Sequence, residues 1–363
     1  MREELLDRPA AVREGEQLDA AKLLVYLRAH LPEFENLEEP PEVEQFPAGF
    51  SNLTYLVRAA GREFVLRRPP FGSKVKAAHD MGREFFILSR LRPVYAKVPR
   101  PVLFCEDPSV LGAPFYLMER VRGLILRARP SAGFEPTPQM MRDLSESLVR
   151  NLVEIHAVDF EAAGLGELAR PGGYAARQVE GWTRRYYDAR TDDVPEVERL
   201  AAWLAGHAPA DAGRALIHND YKYDNVVFAP GDFSRVAAVL DWEMATVGDP
   251  LMDLGTTLGY WVDDDDPEEW RRFGFGLTTL AGNLRRREVA ELYARASGRG
   301  AGDVVFYYAY GLLKIAGIAQ QIYYRYRRGL TADARFAGLG QLVRACGQLG
   351  LRAVEKERID ALG

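Results

Sequence analysis

Cysteine is almost missing from this chain of 363 residues, which has Cys105 and Cys346 and no others. Neither belongs to a Cys-x-x-Cys pair, so a disulfide framework and a thiolate zinc site are not expected. Long apolar runs are lacking too. None approaches the ~18 residues that a membrane helix needs, and the opening residues do not read as a signal peptide. The expectation is a cytoplasmic protein with no membrane partner. Basic excess is absent: 47 Lys and Arg stand against 52 Asp and Glu, a formal net charge of −5. A nucleic-acid partner is therefore not favoured on charge. There is no internal repeat and no low-complexity tract. What remains is ordinary globular composition, 47% hydrophobic and 27% charged, in a chain long enough to bury a large core and to divide in two.

The two parts have different textures. Residues 17–31, "QLDAAKLLVYLRAHL", read as a short amphipathic helix. The polar, proline-bearing "ENLEEPPEVEQFPAG" reads as a linker. The runs "SNLTYLVRAA", "REFVLRR" and "APFYLMERV" have strand composition, with Gly61 turning between the first two. A helix is expected over roughly 77–91. After about residue 121 the pattern becomes helical, as in "RDLSESLVRNLVEIHAV". Two short strand runs, "NVVF" and "VAAVLDW", interrupt it, and helices return from 268 onward. The acidic cluster "DDDD" at 263–266 is expected to be a solvated loop.

Chemistry concentrates in "LIHNDYKYDNVVF", residues 216–228. Asp220, Lys222 and Asn225 crowd into one loop between apolar flanks. Downstream, "AAVLDWE" is an apolar run that ends on Asp241, which places a carboxylate at the rim of a core. Asp220, Asn225 and Asp241 offer hard oxygen ligands of the kind that magnesium takes. One positioned carboxylate can also orient a hydroxyl and accept its proton. Lys222 supplies positive charge where phosphate charge would shift during transfer.

These residues carry a family resemblance. "HNDYKYDN" resembles the H-x-D-x-x-x-x-N catalytic loop of the protein-kinase-like fold. "LDWE" stands where that fold has its D-F-G aspartate. The whole pattern "IHNDYKYDNVVF…VLDWEMATVGDPLMDLG" resembles the aminoglycoside phosphotransferase and choline kinase superfamily. Within it, the chain looks like the branch related to kinase domains fused to acyl-CoA dehydrogenases. The resemblance implies an α+β fold with two lobes. Residues 1–120 would comprise the N-terminal helix and a small antiparallel-sheet, nucleotide-binding N-lobe. A mainly helical C-lobe, 121–363, would hold the catalytic loop and the acceptor site.

It also implies roles. Asp220 would be the catalytic base, with Lys222 beside it, and Asn225 and Asp241 would hold Mg2+ on the phosphates of ATP or GTP. "FPAGFSNLTYLV" is similar to the family's phosphate loop, so Gly49, Ser51 and Asn52 would approach the phosphates. The strand lysine of the family aligns with Arg67, a departure that keeps the charge but changes its shape; Arg68 is the second possibility. Glu84, in "MGREFF", matches the helix glutamate that pairs with this cation. "FYLMERVRG" resembles the hinge between lobes, where Met118 would line the adenine pocket and the backbones of Glu119 and Val121 would read the base edge. Asn219 stands where regulated protein kinases carry arginine, which argues against control by phosphorylation and against protein substrates. His156, His218, Asp249 and Asp253 are expected to be structural, with Asp253 bracing the catalytic loop and capping as the plainer role of both aspartates.

The acceptor is less legible. The aromatic run from Phe306 to Tyr326 fits helical core and also a pocket wall. The cations of "RYRRG", Arg325 to Gly329, suit a helix end through the dipole alone or attract an anionic acceptor, and Trp182, Arg184 and Arg185 pose the same choice, whereas Asp263–Asp266 pull toward a cationic amine. The leading function is a small-molecule kinase that moves the γ-phosphoryl group of ATP or GTP to a hydroxyl. The branch suits hydroxylated acyl or other metabolic acceptors. The alternatives are an aminoglycoside or choline-like acceptor, and a catalytically impaired nucleotide-binding pseudokinase, for which Arg67 is the motive. A scaffold using the aromatic helix as an interface is the third reading.

Overall fold

The computed structural model describes residues 8–47, 52–70, 80–127, 134–300, 303–331 and 333–363. The chain separates into two compact units. The first comprises the chain up to Ile125 together with Val227–Asp232 and Val236–Met244. The second comprises Leu126–Val226, Phe233–Arg235 and Ala245–Gly363.

The first unit is built on a five-stranded antiparallel sheet of order β1-β2-β3-β5-β4. Its strands are β1 (Glu42–Gln45), β2 (Leu53–Ala59), β3 (Arg62–Arg68), β4 (Pro101–Cys105) and β5 (Phe115–Glu119). The turn between β2 and β3 is Ala60–Gly61, with φ of 49° and 70°. Two successive positive φ values suit the right-handed twist of a hairpin, and glycine adopts them without steric cost. Helix α1 (Ala20–His30) starts at Asp19, whose side chain accepts from the Lys22 N–H. Its Leu23 and Leu27 join Phe34, Tyr55, Val57, Phe64, Leu66, Phe115 and Leu117 in one core cluster. Helix α2 (Met81–Leu91) is capped by Asp80 and buries Met81, Glu84, Ile87, Leu88 and Leu91. That spacing makes one face inward, with a carboxylate on it. The helix covers the part of the expected 77–91 span that lies within the described residues. A one-turn helix, α3 (Pro108–Leu111), links β4 and β5.

The second unit is helical. Helix α4 (Pro138–His156) begins with Thr137 as its cap and proline in its first turn, a favourable start because that N–H has no helical partner. Helices α5 (Tyr174–Asp188) and α6 (Pro195–Gly206) follow. Strand β6 (Ala215–Ile217) pairs antiparallel with β9 (Thr246–Gly248). The chain between them forms the hairpin β7 (Val226–Ala229) and β8 (Asp232–Val239), most of which belongs to the first unit. Helix α7 (Pro250–Gly259) is buried along its whole length. After the one-turn helix α8 (Glu268–Arg271) come α9 (Arg286–Ser297), α10 (Val304–Arg327) and α11 (Leu339–Lys356). Helix α10 is buried from Phe306 to Gly317, the mark of a helix surrounded by others. It packs on α5, α6, α7 and α11. Its crossing with α7 is very close: a Cβ on Gly255 would lie 2.1 Å from the Tyr307 carbonyl oxygen, and one on Gly311 would lie 2.1 Å from that of Gly255.

Two expectations are settled by this packing. Phe306, Tyr307, Tyr308 and Tyr310 are core, while Tyr323, Tyr324 and Tyr326 are half-buried. The acidic cluster is solvated only in its middle, at Asp264 and Asp265. Asp263 and Asp266 are buried and form ion pairs with the buried Arg286. Asp264 and Asp265 pair with Arg285. Four acids in a row show only charge in the sequence; the arginines that neutralise them arrive about twenty residues later, at the start of α9. Among the described residues, no helix is long and apolar enough to cross a membrane.

Candidate active site

The catalytic-type loop leaves β6 at Ile217 and turns at Asn219, whose φ is 66°. Asparagine is one of the few residues that tolerates this left-handed region. The turn is held from beneath by Asp253, in the first turn of α7. Its carboxylate accepts from the N–H of His218 at 2.8 Å and of Asn219 at 2.7 Å. His156 Nε2 lies 3.1 Å from the same carboxylate, and its Nδ1 lies 2.7 Å from the Tyr293 hydroxyl. Burial alone would push the Asp253 carboxyl up, but the His156 hydrogen bond and charge, with His218, hold it below the usual aspartate range. Asp249 does the plainer job. It caps α7 through the Leu251 N–H and also accepts from Ala212 N–H, both at 2.8 Å.

Asp220 follows the turn. Its Oδ2 accepts from Lys222 Nζ at 2.5 Å and from Asn225 Nδ2 at 2.9 Å. Asn225 also donates to the Asp220 backbone carbonyl at 2.8 Å. The amide's donors are thus spent inside the loop, and its oxygen remains as a hard acceptor. The side chains of Asp220 and Lys222 are 18% and 21% exposed. Lys222 Nζ also lies 4.6 Å from the centre of the Tyr260 ring, a favourable place for a cation. Burial, and then the nearby Asp220 charge, push the Tyr260 hydroxyl well above its ordinary value.

The first unit gathers a second constellation. Arg67, near the end of β3, donates to Glu84 at 2.6 Å and to Asp241 at 3.1 Å, and Glu243 lies 4.0 Å away. Arg68 points elsewhere, onto the carbonyls of Pro69 and Leu111. Burial opposes the Arg67 charge, but Asp241 and Glu84 more than compensate, so its guanidinium stays charged. Burial likewise pushes the Glu84 carboxyl up, with Arg67 opposing. Asp241 has a φ of 65°, and the next N–H, that of Trp242, donates to Glu84 at 3.0 Å. Strain of this kind persists only where the surroundings over-determine it.

Glu84, Asp241 and Glu243 each bring a carboxylate oxygen within 4.8 Å of the others. Three carboxylates around one guanidinium are a donor set that fits a hard divalent cation. Asn52 donates to Glu243 at 2.7 Å. Gly49 and Ser51 lie outside the described residues. Met118 is buried on β5. The Glu119 carboxylate is taken by Arg62 and Arg100, and its N–H by the Arg100 carbonyl. Val121 is half-buried just past the strand.

The expected residues therefore form two groups. Asn52, Arg67, Glu84 and Asp241 meet in the first unit, and Asp220, Lys222 and Asn225 meet in the second. Sequence reasoning missed Glu243, although it closes the quoted "LDWE". It also missed Lys314 in α10, whose ammonium donates to the Asn219 carbonyl. The signal for Lys314 was a lone cation in the apolar stretch "GLLKIAGIA".

Comparison with known proteins identifies the fold and the family. Acyl-CoA dehydrogenase family member 11 of Homo sapiens is 32% identical over 352 residues, which cover 94% of this chain and 44% of that protein. The chain spans less than half the length of the acyl-CoA dehydrogenase family members it matches. Among solved structures, a candidate aminoglycoside phosphotransferase from Ralstonia eutropha JMP134 is similar at 31% identity and a TM-score of 0.76, covering 94% of this chain and 99% of that one. Choline kinase from Cryptosporidium parvum Iowa II shares the fold at a TM-score of 0.64 with 11% identity, over 95% of this chain and 98% of its own. The five-stranded sheet and the helical unit thus make the protein-kinase-like two-lobe α+β fold. Residues 42–291, which hold both groups of polar residues, match the phosphotransferase enzyme family, and the chain belongs to it.

Proposed function

We propose that the protein transfers the γ-phosphoryl group of ATP or GTP to a hydroxyl of a small molecule. The observation that carries this reading is the partly exposed Asp220 carboxylate, held by Lys222 and Asn225 in a loop braced by Asp253. Asp220 orients the acceptor hydroxyl and takes its proton as the oxygen bonds to the γ-phosphorus. The bond from that phosphorus to the bridging oxygen breaks, and the nucleoside diphosphate leaves. Lys222 stabilises charge on the moving group. Asn225 and Asp241 are the proposed magnesium ligands, with Glu243 beside Asp241. A magnesium ion held by these residues would supply positive charge to the phosphate oxygens. Asn52, with Gly49 and Ser51, is proposed for the phosphates, and Met118, Glu119 and Val121 for the base.

The acceptor is proposed to be a hydroxylated acyl or other metabolic compound rather than an aminoglycoside or choline. The acids that favoured an amine, Asp263–Asp266, are paired with Arg285 and Arg286. The names of the longer relatives, acyl-CoA dehydrogenase family members, point the same way.

One observation favours a second reading. The Arg67 guanidinium contacts both Glu84 and Asp241, so it competes with magnesium for Asp241, as a catalytically impaired nucleotide binder would allow. Melting temperature against ATP and GTP, with and without magnesium, and then against hydroxyacyl-CoA, aminoglycosides and choline, decides. A magnesium-dependent nucleotide shift with product formation supports the kinase. A nucleotide shift without turnover of any acceptor supports the impaired binder, and no shift at millimolar nucleotide removes both.

A further inference from the structure

Lys314 is 1% exposed, and burying an ammonium is costly unless it is paired. Yet among the described residues no carboxylate forms an ion pair with it. Its hydrogen bonds among the described residues go to Asn219, at the backbone carbonyl and, at 3.4 Å, at the side-chain oxygen. Its Nζ also lies 5.8 Å from the centre of the Trp182 ring.

The Asn219 carbonyl belongs to the peptide that leads into Asp220. The N–H of that same peptide donates to His218 Nδ1 at 3.2 Å. The peptide is therefore held at both ends, its oxygen by α10 and its N–H from within the loop. The peptide before it is held as well, because the Asn219 N–H donates to Asp253. A peptide plane fixed in this way fixes the direction in which Asp220 leaves the backbone. An apolar residue at 314 would fill the space, but it would leave the carbonyl without its donor and remove the charge.

We propose that Lys314 is a positioning residue for Asp220: it clamps the Asn219–Asp220 peptide and sets a positive charge near the Asp220 carboxylate before any acceptor arrives. The inference rests on the reading of Asp220 as the general base. The charged groups that face Lys314 are Asp220 and Lys222 of the loop, Asp253 of α7 and Arg185 of α5. Burial pushes the Lys314 ammonium down to about 8; Asp220 and Asp253 resist the fall, and Lys222 and Arg185 add to it. Lys314 is thus charged at neutral pH and gives up its proton in mild alkali.

Two measurements test the proposal. The first follows the ε-carbon resonance of Lys314, assigned by its absence in Lys314→Met, through a pH titration of the wild type and of Asp220→Asn. Removing the Asp220 charge is expected to lower the Lys314 midpoint by about half a pH unit or more. An unchanged midpoint in folded Asp220→Asn overturns the proposal, whatever the turnover. The second compares kcat and KM. Lys314→Met is expected to lower kcat about tenfold or more with the nucleotide KM little changed, as misplacement of a reacting group does. Wild-type kcat should fall as pH passes 8, whereas Lys314→Arg keeps its charge and a flat profile there. Equal kcat in wild type and Lys314→Met also overturns it. The two readings fail separately: turnover that survives Asp220→Asn sinks the general base, while the resonance still decides whether Lys314 and Asp220 are coupled.

Discussion

Asp253 and Asn219 are joined carboxylate to backbone, at 2.7 Å, at the residue where the loop turns through the left-handed region. The conformation that presents Asp220 is therefore imposed by a helix beneath it rather than by the loop's own preferences.

Asp253→Asn breaks that support. An amide cannot accept at both ends, so either the His218 or the Asn219 N–H loses its partner, and the His156 contact changes. The expected loss is about 3 kcal/mol, the scale of a buried hydrogen bond to a charged group, read as a drop in urea midpoint. Asp253 also gives the stability a pH signature. Its folded value lies below the usual 3.8, so its contribution is complete above that value and disappears as pH falls through the lower, folded one. Wild type should lose stability in this acid range more steeply than Asp253→Asn. Matching acid slopes would count against the His156–Asp253 pairing.

Asp220→Asn keeps the size of the side chain and removes its capacity as a base. Turnover should fall by about 10²- to 10⁴-fold, while nucleotide affinity, measured by calorimetry, stays within about threefold. A parallel loss of both would assign Asp220 to nucleotide binding instead.

Arg67→Met strips the guanidinium from three carboxylates. Removing one partner of a buried ionic cluster costs about 3–5 kcal/mol, and the melting temperature should fall accordingly. Magnesium should restore more stability to this variant than to the wild type, because Asp241 and Glu243 are released for it. A magnesium response no larger than that of the wild type would speak against a cation site on these carboxylates.

Lys314 has a pH signature of the same sign as that of Asp253, but in the alkaline range and for a group that burial disfavours. Its folded value is about 8 against an ordinary 10.5. Between those values the unfolded chain binds more protons, so stability rises with pH. From pH 7.5 to 9.5 the gain over Lys314→Met should be about 2 kcal/mol, seen in urea midpoints. A constant difference between the two proteins would mean that Lys314 titrates normally.

What the sequence made legible depended on distance along the chain. Asp220, Lys222 and Asn225 share one loop, so their order was nearly their geometry. The Ala60–Gly61 turn was readable because glycine has a local reason to be there. Arg67 and Glu84 are 17 positions apart, and their pairing came from the resemblance rather than from any local rule. Lys314 was hidden because its partner lies 95 positions away. Nothing near "DDDD" in the chain announces Arg285 and Arg286, so charge pattern alone suggested solvent for all four acids, where the fold buries Asp263 and Asp266 against Arg286. Glu243 was visible but had no assigned work until three carboxylates were seen to converge.

The close crossing of α7 and α10 has a consequence for how the loop can vary. Gly255 and Gly311 let the two backbones touch; Asp253 lies two residues from one glycine, and Lys314 three residues from the other. A single methyl group at either glycine would wedge the helices apart and withdraw both struts from Asn219 together. The crossing thus works as a depth gauge for the loop. The placement of Asp220 depends on two residues that have no side chain.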